Sequence, residues 1–346
     1  MPLPAWSNRE KKLSHDLDTT TGAPAIAYVG ETPWHGLGER LEPNQSIETW
    51  VKAAKLDWHL NMLPVKYEFE GKTKLMPQRC VLARSDTGEA LSVVSNTYLV
   101  VQPKEVLEFY RDLVATRGYA LETAGALDGG RKVWALAKTG LVANVSGSPE
   151  DQVGAYLLLA TSCDKTLATT VSFTSVRVVC QNTLHFAVKD IKGELRRNIK
   201  VNHSNHFDPK DIKEELGLLD QAWDTFKAKL DQLAQSEVRS ADEARNFFVQ
   251  LLTTPKERST GNLSTTKLGE LQQLMSCYQN SSPGRNLSTA KSTLWGMVNA
   301  VTHYVDHLKV VRGDRQDNAW FGTGAALKER AFDLALERVT GQAETS

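Results

Sequence analysis

Between residues 65 and 172, hydrophobic and polar positions alternate with a period of two, which is typical of half-buried β-strands. Val65, Tyr67 and Phe69 alternate with charged residues, and Gly71 follows them as a turn residue. Alternation or a short apolar run predicts further strands over residues 79–84, 90–94, 98–101, 121–127, 131–138, 152–161 and 166–172. We therefore expect an antiparallel sheet in this part of the chain.

Two segments in the N-terminal half of the chain have helical periodicity, and a third is ambiguous. Ser46 caps a short amphipathic segment that ends at Ala54, and Pro103 opens a helix that Gly118 closes. Residues 174–188 place several apolar side chains on one helical stripe, whereas their β-branched content favours a strand. A helix is the preferred prediction for this segment.

After residue 206 the apolar residues recur every three or four positions, which indicates amphipathic helices. Helices are predicted over about 209–238, 240–252, 268–280, 288–310 and 324–339. The predicted fold class is α+β, with an N-terminal antiparallel sheet-rich part on which helices pack and a C-terminal all-helical part. The predicted organisation is a loose N-terminal arm (1–27), an α+β sheet domain (28–205) and a helical domain (206–346).

The composition narrows the class of protein. The 346 residues include 41 Lys and Arg and 41 Asp and Glu, so the formal net charge is zero. A protein that coats nucleic acid by net charge alone is excluded, although a local basic face is not. The four cysteines are too far apart for a zinc knuckle or a CxxC pair, which predicts reduced thiols. With no signal-peptide pattern and no long apolar run, we expect a cytoplasmic protein without membrane association.

No motif in the sequence indicates catalysis. It contains no Walker phosphate loop and no GxSxG nucleophile motif, and Gly322-Thr323-Gly324 is explained by a loop before a helix. His303 and His307 have the i, i+4 spacing of zinc ligands, but Tyr304 occupies the position of a metalloprotease glutamate. We therefore predict no catalytic residue, no metal site and no cofactor. A metal-dependent nuclease stays open as a minor alternative.

One stretch carries a local positive charge. Between residues 164 and 200 seven cations face three acids, a net charge of +4 in a neutral chain. Such a strip is able to contact successive phosphates, and nearby Phe186, Phe207, Trp58 or Tyr67 could stack on bases. The alternative is a solvated hairpin of mixed charge. The predicted nucleic-acid-binding residues are Lys165, Arg177, Gln181, Lys189, Lys192, Arg196, Arg197 and Lys200.

Several motifs in fixed order carry a family resemblance. They are residues 32–38 (TPWHGLG), 96–103 (NTYLVVQP), 175–184 (SVRVVCQNTL), 299–307 (NAVTHYVDH) and 319–328 (AWFGTGAALK). Over roughly residues 28–340 the chain resembles the phage/plasmid-like protein family, whose shared region is named domain of unknown function nine hundred and thirty-two. The resemblance implies a bacterial, phage or plasmid setting and no particular activity.

Two functions follow as hypotheses. The first is a nucleic-acid-binding protein of a phage, prophage or plasmid, acting as an ATP-independent single-stranded DNA binding or annealing factor in recombination. Its partners would be single-stranded DNA and further copies of the chain in a homo-oligomer. The alternative is a non-enzymatic protein-interaction factor for anti-defence or plasmid maintenance. It predicts an exposed apolar face in the helical half, formed by Trp223, Phe226, Phe247 and Phe248.

Overall fold

The computed structural model describes residues 17–30, 33, 36–179, 182–185, 188–189, 195–196, 198–201, 219–311 and 315–343. Strands dominate up to residue 201 and helices after residue 219. The protein therefore has the predicted α+β fold class.

The first part of the chain is built on an eight-stranded sheet. Seven of its strands follow one another in the spatial order β10 (Asn182–His185), β9 (Thr169–Arg177), β8 (Gln152–Ser162), β7 (Lys132–Asn144), β6 (Ala120–Leu127), β1 (Ile26–Val29) and β2 (Glu39–Leu41). The eighth, β13 (Asn198–Val201), pairs with β9 on the same side as β10. All these pairs are antiparallel except β1 with β2. A separate two-stranded ladder joins β11 (Val188–Lys189) to β12 (Leu195–Arg196).

Both faces of the large sheet are covered, so its central strand β8 is apolar almost throughout. Helix α2 (Pro103–Arg117) packs on one face, beside the shorter helix α1 (Ile47–Ala53). The hydroxyl of Tyr110 in α2 lies 2.9 Å from the carbonyl oxygen of Ala135 and 3.0 Å from that of Leu157. This buried polar contact fixes α2 on strands β7 and β8.

A smaller antiparallel sheet contains β3 (Leu60–Phe69), β4 (Lys72–Arg84) and β5 (Ala90–Ser95). Strand β5 pairs only with residues 79–83 of β4, and a bulge interrupts the β3–β4 ladder after Pro64. Residues 66–75 beyond the bulge form a two-stranded ladder, here called the hairpin arm. Every side chain of the hairpin arm is exposed.

The base of the smaller sheet is fixed by polar contacts with neighbouring segments. The Gln102 side chain accepts from the Leu60 N–H at 2.8 Å and donates to the Leu60 carbonyl at 3.2 Å. Buried Arg84 donates to Asp18 at 2.5 Å and to Asp86 at 2.8 Å, and its guanidinium stacks 4.1 Å from the Trp58 ring. The hairpin arm thus projects from an anchored base.

The N-terminal arm needs a corrected boundary. Residues 1–16 lie outside the described residues, but Leu17 and Asp18 are buried and Ile26–Val29 form a strand of the large sheet. The polar composition of this segment predicted an exposed arm. Asp18 is nevertheless buried, because it forms an ion pair with Arg84.

The helical part follows the predicted periodicity, with two additional short helices. Its helices are α3 (Leu219–Gln235), α4 (Ala241–Leu252), α5 (Pro255–Thr260), α6 (Thr265–Ser276), α7 (Leu294–His303), α8 (Arg315–Phe321) and α9 (Thr323–Ala343). Helices α6 and α7 continue into π-helical segments at Cys277–Ser281 and Tyr304–Leu308. None of the helices in the described ranges is both long and apolar enough to cross a bilayer.

The two parts share one hydrophobic core. Trp320 of α8 packs edge-on against Trp134 of β7, with ring centroids 5.1 Å apart, and α9 and α7 contact β10. Trp320 thus brings the last helices onto the sheet. The predicted boundary at residues 205 and 206 lies outside the described residues, so the division into two domains stays a prediction.

Two predicted elements are wrong. The described residues between 174 and 188 do not form the predicted helix, because β9 runs to Arg177 and β10 follows at Asn182–His185. The apolar residues that imitated a helical stripe are divided between β9 (Val176), the turn after it (Val179) and β10 (Leu184), whereas the β-branched residues indicated the correct element. No strand forms at residues 98–101, where the Tyr98 hydroxyl donates to the Ser162 carbonyl at 3.1 Å.

Candidate nucleic-acid interface

Arg177, one of the predicted nucleic-acid-binding residues, is buried and does not belong to a basic surface. Its side chain is 2% exposed, and its Nε and Nη2 donate to the two carboxylate oxygens of Asp151 at 2.6 and 2.8 Å. Thr289 Oγ1 and Trp295 Nε1 donate to Asp151 as well, at 2.5 and 3.1 Å. Arg177 therefore ties β9 to the helical part and is not available to a phosphate.

The other predicted residues are only partly described. Lys165 and Lys200 are exposed, and Lys165 Nζ donates to the Val93 carbonyl of β5 at 3.0 Å. Lys200 pairs in register with Thr170, close to the loop that carries Lys165. Both lysines therefore lie at the end of the large sheet that adjoins the smaller sheet. The strands β11 and β12 contain Lys189 and Arg196, while Gln181, Lys192 and Arg197 lie outside the described residues.

Of the four aromatic residues predicted to stack on bases, one is buried, two lie outside the described residues and one is exposed. Trp58 is 4% exposed and covered by Arg84, so it offers no ring to a base. Phe186 and Phe207 lie outside the described residues. Tyr67 is 48% exposed and lies in the hairpin arm.

One face of the hairpin arm combines aromatic rings with positive charge. Tyr67 is paired with Lys74 and Phe69 with Lys72, so the register places these four side chains on the same face. Phe69 is 53% exposed, and Lys74 Nζ lies 4.8 Å from its ring centroid. This aromatic-cationic face carries no acidic side chain, since Glu68 lies on the opposite face and Glu70 in the turn.

The turn of the hairpin arm sets the register of this face. Glu70 and Gly71 are the two loop residues and have φ of 51° and 71°, as a type I′ turn requires. Gly71 adopts this backbone without strain, whereas Glu70 does so at a steric cost. Gly71 is the turn residue that the sequence predicts, whereas Phe69, Lys72 and Lys74 are not among the predicted site residues. The alternation of rings and lysines across a turn was the signal that could have revealed them.

The prediction that a protein-interaction factor would expose an apolar face in the helical half is wrong. Trp223, Phe226, Phe247 and Phe248 are each 3% exposed or less, and they belong to the shared core. Trp223 and Phe226 pack together with centroids 5.5 Å apart, and Phe332 of α9 covers Phe226. The alternative function therefore stays a prediction without this surface.

The remaining chemical candidates have structural explanations. The rings of His303 and His307 lie 4.8 Å apart, but among the described residues no three His, Cys, Asp or Glu side chains are grouped to hold a metal ion. The Gly324 N–H donates to Asn318 Oδ1 at 3.1 Å, so an Asn318 side-chain oxygen already binds the backbone of the glycine loop before α9. Burial raises the pKa of the Cys163 thiol to about 12, which keeps it protonated and unreactive at neutral pH.

Comparison with known proteins places the chain in a family. The sequence model of the family described as Domain of unknown function (DUF932) matches residues 90–321, and the chain belongs to this family. No curated protein and no solved structure matches the chain significantly. The hairpin arm precedes the matched region, which begins in β5.

Proposed function

We propose that this protein binds single-stranded nucleic acid through the aromatic-cationic face of the hairpin arm, defined by Tyr67, Phe69, Lys72 and Lys74. The observation that carries the proposal is the presence of two exposed rings and two lysines on one projecting face without an acid. Exposed rings on a positively charged surface bind single strands because every base offers a face for stacking and every nucleotide offers a phosphate.

The surroundings of the hairpin arm support the same proposal. Lys165 contacts β5 at the base of the smaller sheet, and Lys200 lies at the same end of the large sheet. Arg79 is exposed where β4 and β5 begin to pair. These cations extend the positive surface without raising the net charge of the chain above zero.

The biological setting in this proposal is the cytoplasm of a bacterium that carries a phage, prophage or plasmid, with DNA annealing during recombination as the role. A homo-oligomer would repeat the hairpin arm and lengthen the binding surface. The exposed row formed by Leu63 of β3 and Val93 of β5 supports contact between copies.

The test is binding of a labelled oligothymidylate, followed by fluorescence anisotropy over a range of salt concentrations. Replacing Tyr67 and Phe69 together by Ala is expected to weaken binding tenfold or more, since each stacked base contributes about 1–3 kcal/mol. Replacing Lys72 and Lys74 together by Ala is expected to lower the slope of log affinity against log salt by about 1.4.

Two matched controls separate this face from the rest of the surface. Leu75→Ala changes an exposed residue on the opposite face of the hairpin arm. Replacing Lys256 and Lys291 together by Ala removes the same amount of positive charge from an exposed surface of the helical part. Absence of binding at low salt, or equal losses in the control variants, would reject the proposal.

A further inference from the structure

A cavity of about 430 Å³ lies between the large sheet and the last helices, apart from the hairpin arm. Its floor is one face of β1, β6, β7 and β8, and its roof is formed by α8 and the π-helical segment Tyr304–Leu308. This volume falls in the range of small-molecule sites. Most of its wall belongs to the region matched by the family, residues 90–321.

Aromatic side chains line both the floor and the roof of the cavity. Tyr28, Trp134 and Tyr156 come from the sheet, and Trp320 comes from α8. Trp134 and Trp320 meet edge-on at 5.1 Å. Walls of this kind favour a flat ring, because aromatic groups gain from stacked and edge-on contacts.

Two buried polar atoms in the cavity wall have no hydrogen-bond partner among the described residues. They are the indole Nε1 of Trp134, whose residue is 2% exposed, and the hydroxyl Oγ1 of Thr123. Register places Thr123 between Tyr28 and Leu136 on the floor. A buried donor without a partner costs about 1–3 kcal/mol, so a ligand with hydrogen-bonding edges would recover that free energy.

The charged groups at the cavity have partners within the protein, and Arg315 of α8 donates to the His307 carbonyl at 2.8 Å. Lys138 Nζ lies 3.0 Å from Glu122, and buried Lys328 donates to Asp306 and to the Thr183 hydroxyl, both at 2.7 Å. The wall contains two acids, Glu122 and Asp306, and two cations, Lys138 and Arg315, so it has no excess of positive charge for a polyphosphate. The unpaired polar atoms and the ion pairs also disfavour a purely apolar molecule such as a lipid chain.

We infer that the cavity binds a nucleobase, either of a free nucleoside or of one unstacked nucleotide in a strand. A base is flat, offers several acceptors and donors at its edge and carries no charge, which matches the walls described above. The inference does not depend on the hairpin arm, because the two sites use different residues on different elements.

The test is isothermal titration calorimetry with adenosine, guanosine, cytidine and thymidine, and with a short oligothymidylate. Trp134→Phe keeps an aromatic side chain but removes the Nε1 donor, and Thr123→Val removes the hydroxyl at constant shape. Each is expected to weaken binding of the preferred nucleoside twofold to tenfold, as for the loss of one hydrogen bond. Trp50→Phe, a buried tryptophan in α1 away from the cavity, is expected to leave the affinity unchanged.

The possible results decide between sources and against the inference. Binding of a nucleoside that the Trp134 and Thr123 variants weaken identifies a free base, and binding of the oligonucleotide alone with the same sensitivity identifies a base within a strand. The Tyr67 and Phe69 double variant should leave nucleoside affinity unchanged, so failure of one proposal is separable from failure of the other. No binding by any probe up to roughly 1 mM, or binding that neither variant changes, would overturn the inference.

Discussion

At the scale of single residues, buried Arg177 joins strand β9 to the helical part of the protein. Its partner Asp151 lies just before β8, and the same carboxylate accepts from Thr289 and Trp295 of the helical part. A sequence shows the charge of an arginine but not the carboxylate that the fold brings against it. Its place in a basic stretch therefore suggested phosphate binding.

Asp151→Ala is expected to destabilise the protein by about 3–5 kcal/mol, because it leaves the buried Arg177 guanidinium without its counter-charge. Asp224→Ala provides the control, since Asp224 forms an exposed pair with Lys227 and should cost less than about 1 kcal/mol. Urea unfolding measures both free energies. Similar losses in the two variants would contradict the structural role of the buried pair.

His303 makes stability depend on pH. Burial, with a smaller contribution from the neighbouring His307, lowers its pKa from 6.5 to about 4. Between about pH 6.5 and pH 4, His303 is therefore protonated in the unfolded chain but not in the folded chain. The free energy of unfolding falls as pH falls through this range. In His303→Gln that fall should be smaller than in the wild-type protein. Parallel profiles for His303→Gln and wild type would refute the assignment.

At the scale of elements, the sequence predicted the helices and turns that are determined by residues close together in the chain. The β3–β4 hairpin is confirmed because alternation and a turn glycine lie within a few residues, and α2 begins at Pro103 with Gly118 as its C-cap, as expected. Residues 169–172 of β9 were predicted as a strand, but residues 174–177 were assigned to a helix, because Val176 and the apolar residues beyond the strand, Val179 and Leu184, imitate a helical stripe. The cavity was not predicted at all, since its walls join β1 to α8 across nearly the whole chain.

The turn of the hairpin arm gives a prediction in which one substitution has opposite signs at two sites. A Cβ at Gly71 would meet no atom within 4 Å, so Gly71→Ala costs only the strain of a left-handed backbone, about 1–2 kcal/mol. Gly269 has equal space but lies within α6, where Gly269→Ala should stabilise the helix by about 0.8–1 kcal/mol. Hydrogen exchange should therefore become faster in residues 66–75 for the first variant and slower in α6 for the second. The same direction of change at both sites would contradict the turn geometry.

At the scale of the molecule, the shared core makes the sheet and the helices depend on each other. Lys132 of β7 pairs with Asp317 of α8 at 2.7 Å, the His185 ring contacts the Trp320 carbonyl at 3.0 Å, and the core cluster runs through both parts. A helical part that lost its packing would therefore expose one face of the sheet. We expect the two parts to unfold as one cooperative unit, although domains of this size often unfold separately.

Phe247→Ala tests this coupling from the side of the helices. Phe247 is fully buried in α4, where its ring packs against Phe248 of the same helix. Replacing it by Ala should lower the free energy of unfolding by about 3–5 kcal/mol. If the two parts unfold together, the most protected amides of β8 lose as much protection as those of α4, because both exchange through the same global opening. Urea transitions followed by tryptophan fluorescence and by far-UV circular dichroism should coincide in wild type and variant. Unchanged protection in β8, or two separate transitions, would show that the halves are independent domains after all.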